Sequence, residues 1–237
     1  MSPARKVAPL SSKGGITPAW VIERLDAAYG TLPWRPNHDP VAELVLTLLS
    51  QNTSDTNSGR AFMRLLSTFP DWQAVHDAKV KDIERAIQPG GLAPTKAPRL
   101  QAILREVYAR NGSFDLTFLS DLPLEDARGW LRSLPGVGPK TAACVLLFAL
   151  GRPALPVDTH VHRVALRLGL VPEKTNAERA HEVLEAQLAP GQIYPFHIQL
   201  IKHGRRTCSA QRPKCPACPL VSRCPAVGNF HPELERS

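Results

Sequence analysis

The sequence lacks the patterns that mark membrane, secreted and sheet-rich proteins. No run of about 18 apolar residues occurs, which argues against a membrane-spanning helix. The basic stretch Met1–Lys13 has no apolar core and does not resemble a secretory signal, so we expect an intracellular protein. No segment alternates between apolar and polar residues for long enough to predict a sheet. These absences leave a helical protein as the expected class.

Apolar residues recur at helical spacing along most of the 237-residue chain. Thr17 and Pro18 have the residue types of an N-cap and a first helical residue. Helices are predicted over residues 18–29, 41–49, 56–67, 79–88, 97–110, 124–131, 142–150, 177–188 and 193–203. Thr53 or Asp55 is expected to cap the third of these. The formal charge of +8 and the pI of about 9.5 favour a polyanionic partner.

A stretch rich in glycine and proline, LPGVGPKTA at residues 134–142, joins two predicted helices. Gly136 and Gly138 carry no Cβ, so another backbone can come close to theirs. The first N–H groups of the following helix have no partner within it, and a phosphate could accept hydrogen bonds from them. Lys140 stands in the first turn of that helix, where a lysine is ordinarily just solvated. The stretch predicts a helical hairpin that binds phosphate.

The motif VDTH occupies residues 157–160. Val161 and Val164 begin an apolar stripe at helical spacing after it, so Asp158 occupies the position of an N-cap. Capping is the ordinary role of such an aspartate, and composition alone gives it no other.

Two other turns allow more than one interpretation. Six polar residues, Ser50–Asp55, follow the strongly apolar helix predicted at 41–49, and they form either a capped loop or a rigid polar probe at the helix end. Leu92 is the one large apolar residue of a second glycine- and proline-rich turn, residues 89–96. Taken alone, Leu92 is expected to pack in the core, although an exposed apolar side chain can wedge between base pairs.

Four of the five cysteines follow the pattern C-x6-C-x2-C-x5-C. Their segment is poor in apolar residues, so metal ligation would have to supply the free energy that orders it. Four thiolates suit either tetrahedral zinc or a 4Fe–4S cluster. Zinc ribbons usually carry two C-x2-C pairs, whereas this pattern has one, and the cluster is therefore favoured. The ligands are Cys208, Cys215, Cys218 and Cys224, and Cys144 is expected to be an inert core thiol.

The patterns LPGVGPKTA, VDTH and C-x6-C-x2-C-x5-C, in that order, resemble those of endonuclease III in the helix-hairpin-helix DNA glycosylase superfamily. The resemblance covers about residues 17–225 of this chain. It implies an all-α fold of two helical domains that flank a DNA-binding cleft, in which Lys140 and Asp158 face each other.

The same resemblance implies a division of the chain. The contiguous domain would be a six-helix, barrel-like domain with the helix-hairpin-helix, and the other domain would hold the cluster. The expected ranges are 38–153 for the first domain, 16–37 plus 154–225 for the second, 1–15 for a disordered basic tail and 226–237 for a C-terminal tail.

The activity implied is that of a bifunctional DNA glycosylase and abasic-site lyase, which removes oxidised pyrimidines in base excision repair. A damaged base must leave the duplex before a protein can act on it. The amine of Lys140 would attack the sugar C1′, displace the base and leave a Schiff base that permits β-elimination. The positive end of the helix dipole favours the neutral amine that this attack needs. Asp158 would stabilise cationic character on the sugar.

The resemblance also implies which residues contact DNA and cofactor. Asn52 aligns with a glutamine that fills the gap left by the flipped base, although the longer Gln51 precedes it. Leu92 aligns with a wedge leucine, and the four cysteines would hold a 4Fe–4S cluster. The expected DNA-binding residues are Gln51, Asn52, Leu92, Gly136, Val137, Gly138 and His160. The protein would act as a cytoplasmic, nucleoid-associated monomer on double-stranded DNA with damaged bases or abasic sites.

Two alternative activities stay open. The first is a mismatch-directed, monofunctional DNA glycosylase. Relatives of that kind carry serine or tyrosine in place of Lys140, so the lysine favours the lyase. The second alternative is a non-catalytic, cluster-containing protein that binds DNA or senses redox state. The pair Lys140 and Asp158 argues against it, because a binding protein would not need both.

Overall fold

The computed structural model of the protein describes residues 15–234. Over this range it contains helices and no β-strand, which confirms the predicted all-α class. The α-helices, numbered in chain order, are α1 Pro18–Tyr29, α2 Pro40–Ser50, α3 Asp55–Thr68, α4 Trp72–Asp77, α5 Val80–Ile87, α6 Ala93–Asn111, α7 Leu124–Arg132, α8 Pro139–Cys144, α9 Thr159–Arg167, α10 Ala177–Glu185 and α11 Ile193–Arg206. The tail expected at residues 1–15 lies, apart from Gly15, outside the described residues.

The chain forms two compact units. One comprises residues 35–152 and contains α2 to α8, and the other combines residues 15–34 with residues 153–234. The first unit has one helix more than the six expected, because the short α4 was not anticipated from the sequence. No helix within residues 15–234 is long and apolar enough to cross a membrane.

Helix α2 is the buried centre of the unit 35–152. Asp39 caps it, with a carboxylate oxygen that accepts a hydrogen bond from the N–H of Ala42 at 2.9 Å. Pro40 holds the first helical position, where a missing N–H costs nothing. Buried residues cover most of the helix circumference, and α2 packs against α3, α6 and α8. Such a helix has to end where the polar stretch 50–55 begins.

Two helix starts differ from the prediction. Helix α3 is capped by the hydroxyl of Ser54, and not by Thr53 or Asp55. Helix α6 begins at Ala93, four residues before the expected start at residue 97. Leu92 sets this start, because it adopts a left-handed conformation with a φ of 52° immediately before the helix.

Helix α8 continues into a π-helical turn over Val145–Ala149. The N–H of Leu150 donates to the carbonyl of Val145 at 3.2 Å, five residues back, where an α-helix would span four. Arg152 follows, and its guanidinium donates to the carbonyls of Leu119, at 2.7 Å, and Leu122. These bonds tie the end of the helical run to the loop before α7.

The other unit is organised around α11. The Thr17 hydroxyl caps α1, as predicted, and α1 packs against α11. Helix α9 also packs against α11, and the two backbones approach closely at Gly204, where an added Cβ would lie 2.9 Å from the Cβ of His160. Part of the expected C-terminal tail packs here too, since the guanidinium of Arg167 lies 4.5 Å from the ring centre of Phe230.

The close approach at Gly204 gives a stability prediction. Gly204→Ala is expected to lower the free energy of unfolding by about 1–3 kcal/mol, because the new methyl group meets His160. Gly129→Ala is the control, since a Cβ there meets no atom within 4 Å. That control should raise the free energy of unfolding by about 0.5–1 kcal/mol. Denaturant unfolding followed by circular dichroism measures both, and equal effects of the two substitutions would contradict the packing account.

Candidate functional site

Helices α7 and α8 form the predicted hairpin in the unit 35–152. The N–H of Val137 donates to the carbonyl of Leu134 at 3.2 Å and closes the turn. Gly136 has a φ of 74°, in the left-handed region that glycine tolerates, whereas Gly138 is extended and precedes Pro139, the first residue of α8. The Val137 side chain is buried, so it anchors the turn and only its backbone is placed to meet a partner.

The hairpin turn leaves donors and space facing outward. The N–H groups of Gly136 and Gly138 have no acceptor within residues 15–234. A Cβ built at either glycine meets no atom within 4 Å, so packing within the chain does not itself require glycine at position 138. The turn therefore offers two open N–H groups to a group outside the chain, which suits an anion.

Lys140 is the second residue of α8 and is half-buried. Its charge acts on Glu43, a buried carboxyl group of α2 in the same unit. Burial raises the pKa of Glu43, while hydrogen bonds from Thr47 at 3.1 Å and Asn37 at 3.3 Å and the charge of Lys140 oppose that rise. Lys140 thus has an acidic neighbour that the core holds in place.

Two loops in this unit carry residues that are expected to contact DNA. Asn52 and Leu92 each adopt a φ of 52°, a conformation that residues other than glycine rarely take. Asn52 is exposed, and Leu92 is 54% exposed, so the expectation from composition alone that Leu92 packs in the core is wrong. Gln51 follows the last residue of α2 and is half-buried. Of the two neighbouring amides, Asn52 is the one presented outward.

Hydrogen bonds join these two loops at their bases. Nζ of Lys96, a side chain that is 4% exposed, donates to the carbonyls of Leu49 at 2.7 Å and Gly90 at 3.1 Å. The hydroxyl of Thr53 donates to the same Gly90 carbonyl. Gly90 also packs tightly, because a Cβ there would lie 2.9 Å from the Cβ of Ala61. The two loops therefore form one connected structure.

Asp158 caps α9 in the other unit, as predicted. Its Oδ1 accepts a hydrogen bond from the N–H of Val161 at 2.7 Å, and the side chain is half-buried. Its Oδ2 accepts no hydrogen bond within the described chain. The cap uses one carboxylate oxygen and leaves the second for another partner.

Buried groups hold the segment that leads into α9. The N–H of Leu155 donates to Glu185 Oε1 at 2.6 Å. Nδ1 of His181 donates to the carbonyl of Leu155 at 2.7 Å, and Nδ1 of His197 donates to that of Pro156 at 2.8 Å. Both imidazoles are buried, and both carry a proton on Nδ1 because a carbonyl only accepts. These hydrogen bonds fix the backbone that leads to Asp158.

His160, the second residue of α9, is held by packing within its own unit. Its Nδ1 accepts a hydrogen bond from Nη2 of Arg163 at 3.0 Å, and its Cβ faces Gly204. The orientation of the ring thus follows from the contact between α9 and α11.

Four cysteine side chains line one cavity in this unit, namely those of Cys208, Cys215, Cys218 and Cys224. Burial raises the pKa of Cys215 and Cys224 and raises that of Cys218 to about 12. Charge on the neighbouring thiols adds to each rise, so the four groups are close enough to act on one another. Metal ligation requires the thiolate form, and a bound cation would offset these rises in pKa. Cys144 is buried in the core of the other unit, as expected.

Two arginines of α9 bind the segment 208–224, which carries the four cysteines and is called the cysteine loop below. Nη1 of Arg167 donates to Cys208 Sγ at 3.1 Å and to the carbonyl of Ser209 at 2.7 Å. Nη2 of Arg163 donates to the carbonyl of Cys208 at 3.0 Å. Helix α9 therefore carries Asp158 at its start and the anchor of the cysteines along its length.

Among residues 15–234, no three His, Cys, Asp or Glu side chains come together closely enough to bind one ion. Hydrogen-bonding groups do reach the sulfur atoms, since the N–H of Leu220 lies 3.4 Å from Cys218 Sγ and His203 Nε2 lies 3.7 Å from it.

The predicted site residues are distributed over both units. The hairpin with Lys140 and the loops with Asn52 and Leu92 belong to the unit 35–152. Asp158, His160 and the four cysteines belong to the unit of residues 15–34 and 153–234.

Residues 45–190 match the family model of the HhH-GPD superfamily base excision DNA repair proteins. The chain belongs to this superfamily. It is 39% identical over 188 residues to a putative DNA glycosylase of Arabidopsis thaliana, with 75% of this chain and 64% of that protein covered. It is 36% identical over 186 residues to endonuclease III of Thermotoga maritima, with 78% of this chain and 83% of that protein covered.

Some HhH-GPD relatives are much longer than this chain. The DNA glycosylase/AP lyase ROS1 of Arabidopsis thaliana is 34% identical over 171 residues, which are 65% of this chain but 12% of that protein. The chain thus spans less than two thirds of the putative Arabidopsis glycosylase and a small part of ROS1.

Three solved structures share the fold of this chain. A trapped covalent intermediate of endonuclease III with DNA and a non-covalent endonuclease III–DNA complex superpose with TM-scores of 0.75 and 0.73. Each is 28% identical, with 87% of this chain and 93% of that chain covered. A thermostable thymine-DNA glycosylase, 22% identical with 90% and 95% covered, has a TM-score of 0.74 and shows the fold alone. The resemblance to endonuclease III is thereby confirmed.

Sequence reasoning missed several residues that hold the site loops. Lys96 lies on the buried stripe of α6 beside Ala97 and Leu100, and His197 lies on the buried stripe of α11 beside Phe196. A polar side chain at an apolar stripe position was the available signal, because such a group must find a buried partner. Arg163 and Arg167 carried no comparable signal, since arginines on a helix are usually solvated.

The capping role of Asp158 can be tested separately from any other role of its carboxylate. Asp158→Ala is expected to lower the free energy of unfolding by about 0.5–2 kcal/mol, because the N–H of Val161 loses its acceptor. Asp158→Asn keeps an oxygen in that place and should leave the stability nearly unchanged. Denaturant unfolding of the three proteins measures this. Equal destabilisation by both substitutions would mean that the carboxylate charge, and not the cap, carries the stability.

Proposed function

We propose that the protein is a bifunctional DNA glycosylase and abasic-site lyase that removes oxidised pyrimidines from duplex DNA. The observation that carries the proposal is the position of Lys140, a half-buried amine in the first helical turn after a hairpin whose Gly136 and Gly138 N–H groups are open. Relatives named as DNA glycosylase/AP lyase and as endonuclease III, the latter captured as a covalent DNA intermediate, support the same chemistry.

The hairpin is proposed to bind the DNA backbone. The N–H groups of Gly136 and Gly138 would donate to phosphate oxygens, and the absence of a Cβ at both positions allows the strand to come close. Val137 would contribute its backbone, since its side chain is buried in the turn. Contacts of this kind carry no base sequence information and place the nucleotide for reaction.

The proposed reaction uses Lys140 as the nucleophile. Its neutral amine attacks C1′ of the flipped nucleotide, the N-glycosidic bond breaks, and the base leaves with the bonding electron pair. Opening of the sugar ring leaves a Schiff base between Nζ and C1′. Loss of a C2′ proton then breaks the C3′–O bond and cuts the strand. Asp158, whose Oδ2 is unbonded within its unit, would stabilise positive charge on the sugar.

The two loops that Lys96 joins are proposed to enter the duplex. Asn52 is exposed at the tip of its loop, which supports it over the half-buried Gln51 as the amide that fills the place of the flipped base. Leu92 is exposed and apolar, and it would act as the wedge between base pairs. His160 is proposed to lie near the base, with its ring oriented by Arg163.

The cysteines are proposed to hold a 4Fe–4S cluster. The donor set fits, because four thiols line one cavity and N–H groups of Arg167 and Leu220 reach two of the sulfur atoms. The cluster, when bound, would supply the free energy that orders the segment 208–224. The ligands would be Cys208, Cys215, Cys218 and Cys224. We further propose that the protein acts in the cytoplasm, at the nucleoid, as a monomer.

Covalent trapping tests the role of Lys140. Borohydride should reduce the Schiff base and yield a stable protein–DNA adduct on abasic duplex DNA. Lys140→Ala is expected to lower the adduct yield by about 100-fold or more, because the nucleophile is gone. Lys174→Ala, which removes an exposed lysine, should leave the yield unchanged. Full adduct yield from Lys140→Ala would show that another amine reacts.

The same assay separates the alternatives. Base release from a mismatch without an adduct in the wild type would indicate a monofunctional, mismatch-directed glycosylase. DNA binding with no base release on any lesion would indicate a non-catalytic protein. Asp158→Asn keeps the helix cap, so a loss of base release in this folded variant would report on the charge of the carboxylate.

Metal analysis tests the cofactor. The purified protein is expected to contain about four irons per chain and to absorb broadly near 400 nm. Cys218→Ala should lose iron, because one ligand is removed. Cys144→Ala is the control, since that thiol is buried in the other unit, and it should keep the metal content. A colourless protein that contains zinc would rule out the cluster.

A further inference from the structure

Within residues 15–234, the buried ammonium group of Lys96 bonds to main-chain carbonyls alone. Its side chain is 4% exposed, and Nζ donates to the carbonyls of Leu49 and Gly90 at 2.7 and 3.1 Å. Burial lowers the pKa of Lys96, because a site shielded from water disfavours a charged ammonium group. The side chain also lies in the first turn of α6, the positive end of that helix. Because burial and the helix dipole both disfavour a charged ammonium group, a lysine at this position needs a specific explanation.

The two carbonyls belong to different loops. The Leu49 carbonyl is in the last turn of α2, where helix carbonyls have no partner within the helix, and the loop with Asn52 begins just beyond it. The Gly90 carbonyl ends the short 3₁₀ turn that leads to Leu92. One ammonium group therefore links the base of the Asn52 loop to the base of the Leu92 loop.

The tips of both loops are held in a costly conformation. Asn52 and Leu92 have the same left-handed φ of 52°, and such a conformation costs about 1–2 kcal/mol for a residue with a Cβ, although less for asparagine, whose amide can bond the local backbone. It persists only where the surroundings fix it. The hydroxyl of Thr53 adds a second bond from the Asn52 loop to the Gly90 carbonyl. Both tips nevertheless remain exposed, so the bonds fix the loops without burying their ends.

We propose that Lys96 is a positioning residue, which holds Asn52 and Leu92 at one fixed spacing so that both enter the duplex in a single step. The inference rests on the proposed function, and it explains how the two residues proposed to enter the duplex are held at a fixed distance from each other. Lys96 does not touch DNA, because its side chain is buried beneath the loops. Without it, either tip could still reach the duplex, but not both at the spacing that one unstacked base pair requires.

Fluorescence of 2-aminopurine tests this coupling without relying on catalysis. A duplex carries 2-aminopurine opposite a tetrahydrofuran abasic analogue, and unstacking on binding raises the fluorescence. The wild type should give a clear rise. Lys96→Met, which keeps an unbranched side chain one atom shorter and removes the donor, is expected to lose most of that rise at saturating protein. A wild type that gives no rise, or a Lys96→Met protein with the full rise, would overturn the proposal.

A double-mutant cycle distinguishes positioning from general stability. Leu92→Ala should reduce the fluorescence rise by itself. If Lys96 acts through the loop tips, the double variant should lose no more of the rise than Lys96→Met alone, which is less than the sum of the two single losses. Additive losses would overturn the proposal. Circular dichroism unfolding shows whether Lys96→Met remains folded. Thr53→Val, which removes one donor to the same Gly90 carbonyl from a half-buried position, is the milder variant, and a partial loss is expected from it.

Base release gives a readout that separates this proposal from the proposed function. Lys96→Met is expected to slow release of thymine glycol from a paired duplex by about tenfold or more, because the probes are misplaced. Release from a bubble, in which the lesion is already unpaired, should stay within about threefold of the wild type. Equal losses on both substrates would overturn the positioning role. A wild type that unstacks the duplex but releases no base would leave the positioning role standing and refute the proposed glycosylase.

Discussion

Hydrogen bonds from cationic side chains to main-chain carbonyls are the interaction on which the loops of both units depend. A loop exposes carbonyl groups that no helix or sheet satisfies, and each needs a donor when water is excluded. A lysine or arginine supplies several donors at once, and its charge strengthens each bond. Lys96 and Arg152 act in this way in one unit, and Arg163 and Arg167 do so in the other. Each of them reaches a loop distant in sequence.

This arrangement lets helices determine where loop residues stand. Helix α2 is buried on most of its circumference, so its end cannot move without disturbing the core, and the polar stretch that follows inherits this rigidity. Helix α9 likewise determines the positions of loop residues in its own unit. It starts at a cap that two buried histidines help to place, and its arginines hold the cysteine loop. Strain at Asn52 and Leu92 is sustained because the helices beneath them are fixed.

The sequence predicted the parts of the fold that depend on local chemistry. Helix periodicity and the caps at Thr17 and Asp158 were found, since both are properties of a few adjacent residues. The choice of Ser54 over Thr53 and Asp55 was missed, because all three can cap a helix and the backbone decides between them.

The nonlocal parts of the site were not predictable from the sequence. Composition alone favoured the core for Leu92, and only the resemblance implied an exposed wedge. The left-handed backbone before α6 presents its side chain to solvent. Lys96 pairs with a carbonyl 47 residues away, a contact that no local pattern records. That Lys140 and Asp158 act together was implied by the family resemblance and stays a prediction, and the spacing of the two residues along the chain gave no physical reason for it.

The π-helical turn at Val145–Ala149 restricts insertions and deletions in the segment that follows the hairpin. The turn contains one residue more than an α-turn would. Loss of one residue there would restore α-helical hydrogen bonding, yet it would rotate everything after it by about 100° around the helix axis. Arg152 would then point away from the carbonyls of Leu119 and Leu122. Single-residue deletions in this turn should therefore be rare among natural homologues that keep this arginine, whereas substitutions that preserve its length meet no such barrier.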